Sequence, residues 1–560
     1  MAFLENRYRT MRSTYLSSYP HLINCIILSV LVMGLYLKVT GHEFLINWDD
    51  VDYITTNGDI RGFTLQNLKN IFTKYYAGNY APIHLLSYMV DYSFWGMNPA
   101  AFKMTNVILH AACTVAFYLL LVRLGLTMPQ AFLAAVIFAV HPVQVESVAW
   151  ASQRKNPLSL LFFLASWHAW LTWKSDESGT KVLWYAGSLV FFTMALLSKS
   201  IAALLPILLL AQELILDRQP FTRKTLTTKM PYIGLAAACL VVTLASQKGE
   251  GGGLVAYHGG SLGLTMMNML PVFSRYLILL VFPFGLTFIY NSPLKTVPDL
   301  TIFLSGSILV LFVVVWLRLR KPHPVHFFWL TLFVVALLPV SNILPIVTMM
   351  NDRYLYYPML GIAPLAVLSL KAAAERLRMP FLPLPAIAAI AMVGALSAAS
   401  WKQIDVWKNS LALWSDAMSK AEEGTWYEST GNTDFIKEGY IESLVVDATR
   451  RKIEGNREVT RKDCLLALTY DPANYDALGL LSELYIEEQK PLVARPYLLK
   501  LVETHSSSDA AHSLLGLSYF MTNETAKAKE HFKMALDINP QNARAEMNLR
   551  EIEEGRRSRP

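Results

Sequence analysis

Apolar stretches long enough to cross a bilayer recur through the first 400 residues and then stop. They lie at 21–40, 103–124, 130–148, 156–173, 182–198, 200–216, 229–246, 301–318, 325–345, 354–371 and 380–400. A helical span needs about 20 consecutive apolar residues, so the pattern predicts eleven transmembrane helices. The first run lacks a small-residue cleavage site and reads as an uncleaved signal-anchor. A further stretch, 264–283, is apolar enough to span but holds Arg275. Counting it would put Arg318, Arg320 and Lys321 outside, so an interfacial or re-entrant helix is expected there. Arg7, Arg9 and Arg12 hold the N-terminus in the cytoplasm. Arg218, Arg223, Lys224 and Lys229 mark a second cytoplasmic loop, the Arg318 cluster a third, and Lys371, Arg376 and Arg378 a fourth. Eleven spans then leave the C-terminus outside.

Past residue 400 the periodicity changes. With Gly516 as the eighth position of a tetratricopeptide repeat, Leu515, Tyr519, Ala528, Phe532, Ala535 and Pro540 fall on the 34-residue pattern. Only the early Trp is replaced, by His512. One period upstream Leu481, Tyr485, Ala494 and Leu498 match, with Ser482 in place of the glycine. Ala467 and Pro472 close an earlier repeat, and Glu546 to Glu554 reads as a capping helix. The expected fold is all-α. A polytopic membrane bundle occupies 1–400, a connector rich in Trp, Asp and Glu 401–440, and a repeat solenoid on the outer side 441–560.

Composition agrees with this division. The chain is 54% hydrophobic, too apolar for an ordinary soluble protein. Residues 1–400 hold 28 basic and 16 acidic side chains, residues 401–560 hold 21 and 26. The basic excess lies mostly in loops, where it sets orientation, and carries no nucleic-acid signature. Cys464 is the one cysteine of the soluble part, which excludes a disulfide framework there. Gly249-Glu250-Gly251-Gly252-Gly253 lacks the Lys-Ser/Thr ending of a phosphate loop, and no His/Cys metal spacing occurs. A nucleotide-sugar enzyme of the soluble kind is not indicated.

The candidate chemistry collects at outer span ends. Asn47-Trp48-Asp49-Asp50, with Asp52 close by, places adjacent carboxylates just after the first span. They either cap a solvated loop or face a polar cavity, where they can accept a proton, hold a metal or orient a substrate. His141-Pro142-Val143-Gln144-Val145-Glu146 sits in or beside an apolar helix, so His141 and Glu146 either pair structurally or line a cavity. Arg154 and Lys155 follow at the helix exit, where they offer two cations or snorkel to headgroups. Lys199 stands between two apolar runs in Ser198-Lys199-Ser200. In Asn351-Asp352-Arg353-Tyr354-Leu355-Tyr356-Tyr357-Pro358, Arg353 can fork onto a phosphate or pair with Asp352. Residues 79–91, with His84 and Asp91, suggest an amphipathic interfacial helix.

Taken in order, these motifs resemble the transmembrane and tetratricopeptide-repeat O-mannosyltransferases and their bacterial relatives, multispan glycosyltransferases of the C superfamily. The resemblance covers the acidic motif, the His-Pro-x-x-x-Glu helix, the Ser-Lys turn, the Arg-x-Leu-Tyr-x-Pro motif and the C-terminal repeats. Ser200 stands where the family often has an acid, and the repeat array is short. The resemblance implies inverting sugar transfer from a polyprenyl phosphate to an acceptor hydroxyl, on a protein, at the outer face. Asp49 or Asp50 would deprotonate or orient the acceptor. Lys199, Arg353 and Arg154 would hold the donor phosphate, and His141, Glu146, Asn47 and Asp352 would line the sugar cavity. No cofactor is required by this reading, which leaves room for Mg or Mn on Asp49 and Asp50. Expected partners are the lipid-linked sugar, membrane lipids and a protein acceptor recruited by the repeats. Expected placement is a bacterial inner membrane with periplasmic repeats. A glycan- or lipid-modifying transferase and a non-enzymatic scaffold or transporter are the alternatives.

Overall fold

The computed structural model describes residues 19–177, 179–248, 253, 255–290, 294–376, 383–422 and 432–555. Arg7, Arg9, Arg12, Arg378 and the glycine-rich residues 249–252 lie outside the described residues. Among those described the protein is all-α, with one isolated bridge, Tyr76 to Asn79, in place of any sheet. By contacts the chain divides into Met1–Ser429 and Thr430–Pro560.

The first unit begins with α1 (Tyr19–Tyr36). Two helices of the following loop, α2 (Leu65–Thr73) and α3 (Pro82–Trp95), precede the long α4 (Pro99–Arg123). Proline opens α3 and α4, where its missing N–H is harmless. Next come α5 (Met128–Val140), α6 (Val145–Ala149) and α7 (Lys155–Ser175). Thr127 and Gln130 form a capping box at the start of α5. Pro142 ends it, since the residue before a proline is driven out of the helical region, and His141 is extended at ψ 131°. The chain bends 56° there.

After α8 (Lys181–Leu196) and α9 (Leu205–Ala211) come α10 (Met230–Gln247), α11 (Leu262–Leu279) and α12 (Leu300–Leu319). The unit closes with α13 (Pro324–Leu337), α14 (Met359–Arg376), α15 (Pro383–Val406) and α16 (Ser410–Glu422). Gly361 lets α14 press onto α13, because a Cβ there would stand 2.4 Å from the Trp329 carbonyl oxygen.

Six described helices are long and apolar enough to cross a membrane: Tyr19–Gly41, Pro99–Arg123, Met230–Gln247, Leu262–Leu279, Leu300–Leu319 and Ala386–Val406. The bent pair Met128–Val140 and Pro142–Ala149 makes a seventh if taken as one span. Part of the difference from eleven is a matter of length. Lys181–Leu196, Ser200–Leu216 and Pro324–Val340 are apolar but shorter than 18 residues. The stretch 264–283, expected to be interfacial or re-entrant, forms the helix Leu262–Leu279, which has the length and apolarity of a span. Arg275 is accommodated by donating to the Phe284 carbonyl.

Residues 401–422, expected as a connector, are built into this unit. Ser400 donates to the Val140 carbonyl (2.6 Å), and Lys38 pairs with Asp405 (2.8 Å). The Ile46 N–H donates to Ser410 Oγ (3.0 Å).

The second unit stacks helix pairs α17 (Asn432–Ile453) and α18 (Arg457–Tyr470), α19 (Tyr475–Glu487) and α20 (Pro491–Thr504), α21 (Asp509–Met521) and α22 (Thr525–Ile538), then α23 (Ala543–Glu553). Asn474, Ser508 and Asn542 cap α19, α21 and α23, each accepting from the N–H three residues on. The tight turns at Gly455, Gln489 and Asn523 all have positive φ and recur at the same 34-residue spacing. Leu481, Ala494, Leu498, Leu515, Ala528, Phe532 and Ala535 have no exposed surface, which is the core the repeat pattern predicts.

Candidate active site

The loop after α1 turns sharply at Asn47–Asp50. Asp50 is wholly buried and accepts from the Leu45 N–H (3.0 Å), the Ser152 N–H (3.0 Å) and the Ser152 hydroxyl. Burial pushes its carboxyl above the ordinary carboxylate range, with the Lys103 charge opposing. Asp49 points elsewhere. With Ile46, Asn47, Trp48, Val51 and Asp52 it lines a cleft of about 360 Å³. Among the described residues its carboxylate has no ion-pair partner, yet its charge acts on Lys155 and Arg353. Asn47 Oδ1 accepts from the Trp414 indole N–H (2.9 Å). Trp48 packs on Phe288 (5.2 Å), Trp414 (5.7 Å) and Trp150 (6.3 Å).

The segment from His141 to Asn156 is a buried chain of short helical turns. His141 serves the corner itself: one ring nitrogen accepts from the Val143 N–H and the other donates to the Leu280 carbonyl. Glu146, 2% exposed, accepts from the Arg353 N–H (2.7 Å) and the Arg353 guanidinium (2.5 Å). Arg154 is fully buried and spends its guanidinium on Asp91, Asn106 Oδ1 (2.8 Å), the Ser87 carbonyl (3.0 Å) and the Phe102 carbonyl (2.7 Å). Its face lies 4.4 Å from the Tyr88 ring. All its donor groups are committed inside the protein, so Arg154 stands apart from the other cations of the segment.

Three other cations converge. Lys199 donates to Asn156 Oδ1 (2.5 Å), and Asn156 donates to Ser147 Oγ (2.7 Å) and the Arg353 carbonyl (3.4 Å). Lys155 lies 4.9 Å from the Tyr53 ring centroid. Neither lysine forms an ion pair among the described residues. Burial, then the charges of Lys155 and Arg353, hold the Lys199 ammonium well below the ordinary lysine range. Burial works against Arg353 too, but Glu146, Tyr354 and Asp49 together more than offset it and the guanidinium is held above its usual range. Asp352 is buried, accepts from the Tyr290 hydroxyl (2.5 Å) and is raised well above the usual carboxylate range by burial and then by Glu146.

The structure therefore gathers Asp49, Lys155, Lys199, Arg353, Glu146 and Asp352 into one electrostatic cluster. It sets Asp50, Arg154 and His141 into the framework around it. Asp49 and Asp50 do not fit a shared metal, because both oxygens of Asp50 already receive N–H or O–H donors. Sequence reasoning offered Lys155 only as a cation beside Arg154, without a place in the phosphate set, and passed over Ser152, Asn156, Lys103 and Tyr290. Lys155 had a readable signal, a cation beside Arg154 at the foot of an apolar run. The other four are ordinary polar residues whose partners lie far away in the chain.

Residues 95–246, which include the His141–Asn156 segment and Lys199, match the family model described as dolichyl-phosphate-mannose-protein mannosyltransferase. The chain is 30% identical over 158 residues to protein O-mannosyl-transferase TMTC3 of Mus musculus, covering 26% of this chain and 17% of that protein. It is 33% identical over 148 residues to protein O-mannosyl-transferase tmtc2 of Xenopus laevis, covering 25% and 17%. Against protein O-mannosyl-transferase F38B6.6 of Caenorhabditis elegans it is 23% identical over 430 residues, covering 71% and 57%. The matched part thus spans 17% of the first relatives' length. The resemblance drawn from the motifs is borne out by these similarities. Among solved structures the chain is similar to the first TPR domain of human RPAP3, at 21% identity and a TM-score of 0.20, over 20% of this chain and 90% of that one.

Proposed function

We propose that this chain is a membrane glycosyltransferase that moves a sugar from a polyprenyl phosphate to a hydroxyl of a protein acceptor. The observation that carries the reading is Asp49, free of ion pairs among the described residues, in an open cleft and within electrostatic reach of Lys155 and Arg353. An acid facing a cluster of cations suits a reaction that removes a proton at one end and releases a phosphate at the other.

In this reading Asp49 takes the acceptor proton as the acceptor oxygen attacks the anomeric carbon. The bond from that carbon to the phosphate oxygen breaks, and its electron pair stays on the phosphate. Lys155, Lys199 and Arg353 stabilise that charge, and one displacement inverts the anomeric configuration. Lys155 takes the role that the resemblance implied for Arg154. Glu146 orients Arg353 through two hydrogen bonds, and Asp50 holds the turn that carries Asp49. The site faces the outer side of the membrane, in a bacterial cell the periplasm, as the basic-residue pattern of the loops supports. The repeat unit binds the acceptor polypeptide, and its covalent tether raises the acceptor's local concentration.

The test is glycoproteomic mass spectrometry on matched cells carrying the wild-type chain or Asp49→Asn. Loss of a hexose-sized mass from particular Ser, Thr or Tyr sites supports the reading. An unchanged glycoproteome with normal accumulation of the variant rejects protein O-glycosylation and directs the search to envelope glycans and lipids.

A further inference from the structure

Asn156 is the second residue of α7 and is 1% exposed. Its carboxamide joins three segments that lie far apart in the chain. Nδ2 donates to Ser147 Oγ (2.7 Å) and to the Arg353 carbonyl (3.4 Å). A backbone carbonyl only accepts, so that contact fixes which end of the amide is which and turns Oδ1 toward Lys199. Oδ1 accepts one N–H of the Lys199 ammonium at 2.5 Å. Three residues further along the same helix face, Ser159 Oγ donates to the Lys199 carbonyl (3.3 Å) and to the Ala195 carbonyl (2.9 Å). Lys199 is extended, at φ −162° and ψ 130°, so it leaves the end of α8 and is gripped by α7 at both backbone and side chain. Lys199 and Arg353 are held differently. Arg353 meets the buried carboxylate of Glu146. Lys199 rests on a neutral oxygen, and among the described residues its other two N–H groups have no partner. An amide oxygen aims an ammonium without cancelling its charge, whereas a carboxylate does both.

We propose that Asn156 is a positioning residue, a neutral tether that aims the Lys199 ammonium and leaves its charge and two of its N–H groups to a phosphate oxyanion of the ligand. The inference rests on the proposed transfer reaction for the class of that ligand, a lipid phosphate, but the Asn156–Lys199 tether itself does not. Asn156 touches neither substrate nor reacting atoms. It acts through Lys199, and the same amide fixes that ammonium relative to the backbone of Arg353. In the transfer step the phosphate gains negative charge as the anomeric bond breaks. A cation already in place and not cancelled by a carboxylate stabilises that charge without first rearranging.

The experiment compares the wild-type chain, Asn156→Ala and Asn156→Asp, all full length and purified in detergent. The probe is farnesyl phosphate, a short lipid monophosphate, titrated by calorimetry, with thermal unfolding measured beside it. Asn156→Ala releases the ammonium and keeps its charge. Asn156→Asp keeps the side chain's size and grips the ammonium with a carboxylate. Asn156→Ala is expected to weaken binding about tenfold, and Asn156→Asp to weaken it by at least about threefold more. Asn156→Asp is nonetheless expected to melt closer to wild type than Asn156→Ala does. A residue that only fills space gives the reverse order of affinities, because aspartate is nearly isosteric with asparagine. That reverse order, equal affinities in the two variants, or wild-type affinity in Asn156→Asp overturns the proposal. If Asn156→Asp is not recovered as monodisperse protein, a double-mutant cycle with Lys199→Ala decides. Asn156→Ala should then weaken binding in the wild-type background and change it less than about twofold in the Lys199→Ala background. Equal losses in both backgrounds overturn the proposal, because Asn156 then does not act through Lys199. A wild type that binds no farnesyl phosphate also overturns it. A wild type that binds the probe, with the variants ranked as expected, but transfers no sugar would defeat the transferase reading alone and leave the tether standing.

Discussion

Glu146 receives Arg353 twice, from its backbone N–H at 2.7 Å and from its guanidinium at 2.5 Å. The two residues are 207 positions apart and stand 2% and 15% exposed at their side chains. A charge pair this buried is costly to break from one side, because the remaining partner keeps its charge without its counter-ion. Glu146→Gln is expected to destabilise the protein by about 3 kcal/mol. Pairing it with Arg353→Gln should return most of that stability without restoring transfer. Thermal unfolding in detergent, read beside activity, checks both halves.

Arg154 and Lys155 are neighbours with opposite expectations. Arg154→Ala leaves Asp91 buried without its counter-charge, beside acceptors that have lost their donor, and is expected to abolish accumulation of folded protein. Lys155→Ala should accumulate normally and raise KM for the lipid-linked donor about tenfold. Size-exclusion profiles and donor titrations of the two purified variants distinguish them. A Lys155→Ala enzyme with unchanged donor KM would remove Lys155 from the phosphate site.

The adjacent acids divide similarly. Asp49→Asn is expected to fold like wild type and to lose about a hundredfold or more in kcat, the range for a missing general base. Asp50→Asn should chiefly lower the melting temperature, since its carboxylate is occupied by Leu45 and Ser152. Similar rate losses at equal stability would show that the turn acts as one unit.

In the repeats, His512 donates through Nε2 to the Ser506 carbonyl (3.1 Å), which leaves its Nδ1 to accept from His531 Nδ1 at 3.1 Å. Protonating both rings would set two N–H groups head to head. Burial, then the His512 charge, hold His531 below the ordinary imidazole value. A base with a depressed folded pKa binds protons more weakly folded than unfolded, so its contribution is intact above the unfolded pKa of about 6.5 and is lost as pH falls below it. Melting of the 430–560 unit is expected to drop between pH 7 and about pH 5, and His531→Gln should flatten that slope.

Gly516 illustrates packing that tolerates no addition. A Cβ there would lie 2.8 Å from two ring carbons of Phe532, a side chain with no exposed surface. Gly516→Ala is expected to cost about 1–3 kcal/mol of repeat stability, measurable by denaturant unfolding.

The repeats were the most legible part of the chain. Their 34-residue period is local, and each residue on it packs within its own helix pair or the next, so Gly516 and Phe532 could be matched from sequence alone. Membrane helices were legible as apolar length, but not where a run bends at Pro142 or falls short of a span near Lys199. The chemistry-bearing residues were identifiable by type, because a charge beside an apolar run is costly and therefore conspicuous. Their division of labour was not.

Sequence by itself determined the all-α class, the change of character near residue 400, the repeat register and the short set of charged residues from which a site could be built. Each follows from local rules: helical periodicity, the length needed to cross a bilayer, and the cost of charge in hydrocarbon. Only the tertiary structure decided that Asp49 opens to the cleft while Asp50 is sealed against Ser152, that Arg154 belongs to Asp91, and that residues 401–422 complete the first unit. Those outcomes depend on which distant groups meet. A carboxylate's accessibility is set by partners 102 positions away, as Ser152 is from Asp50, and no local pattern records them.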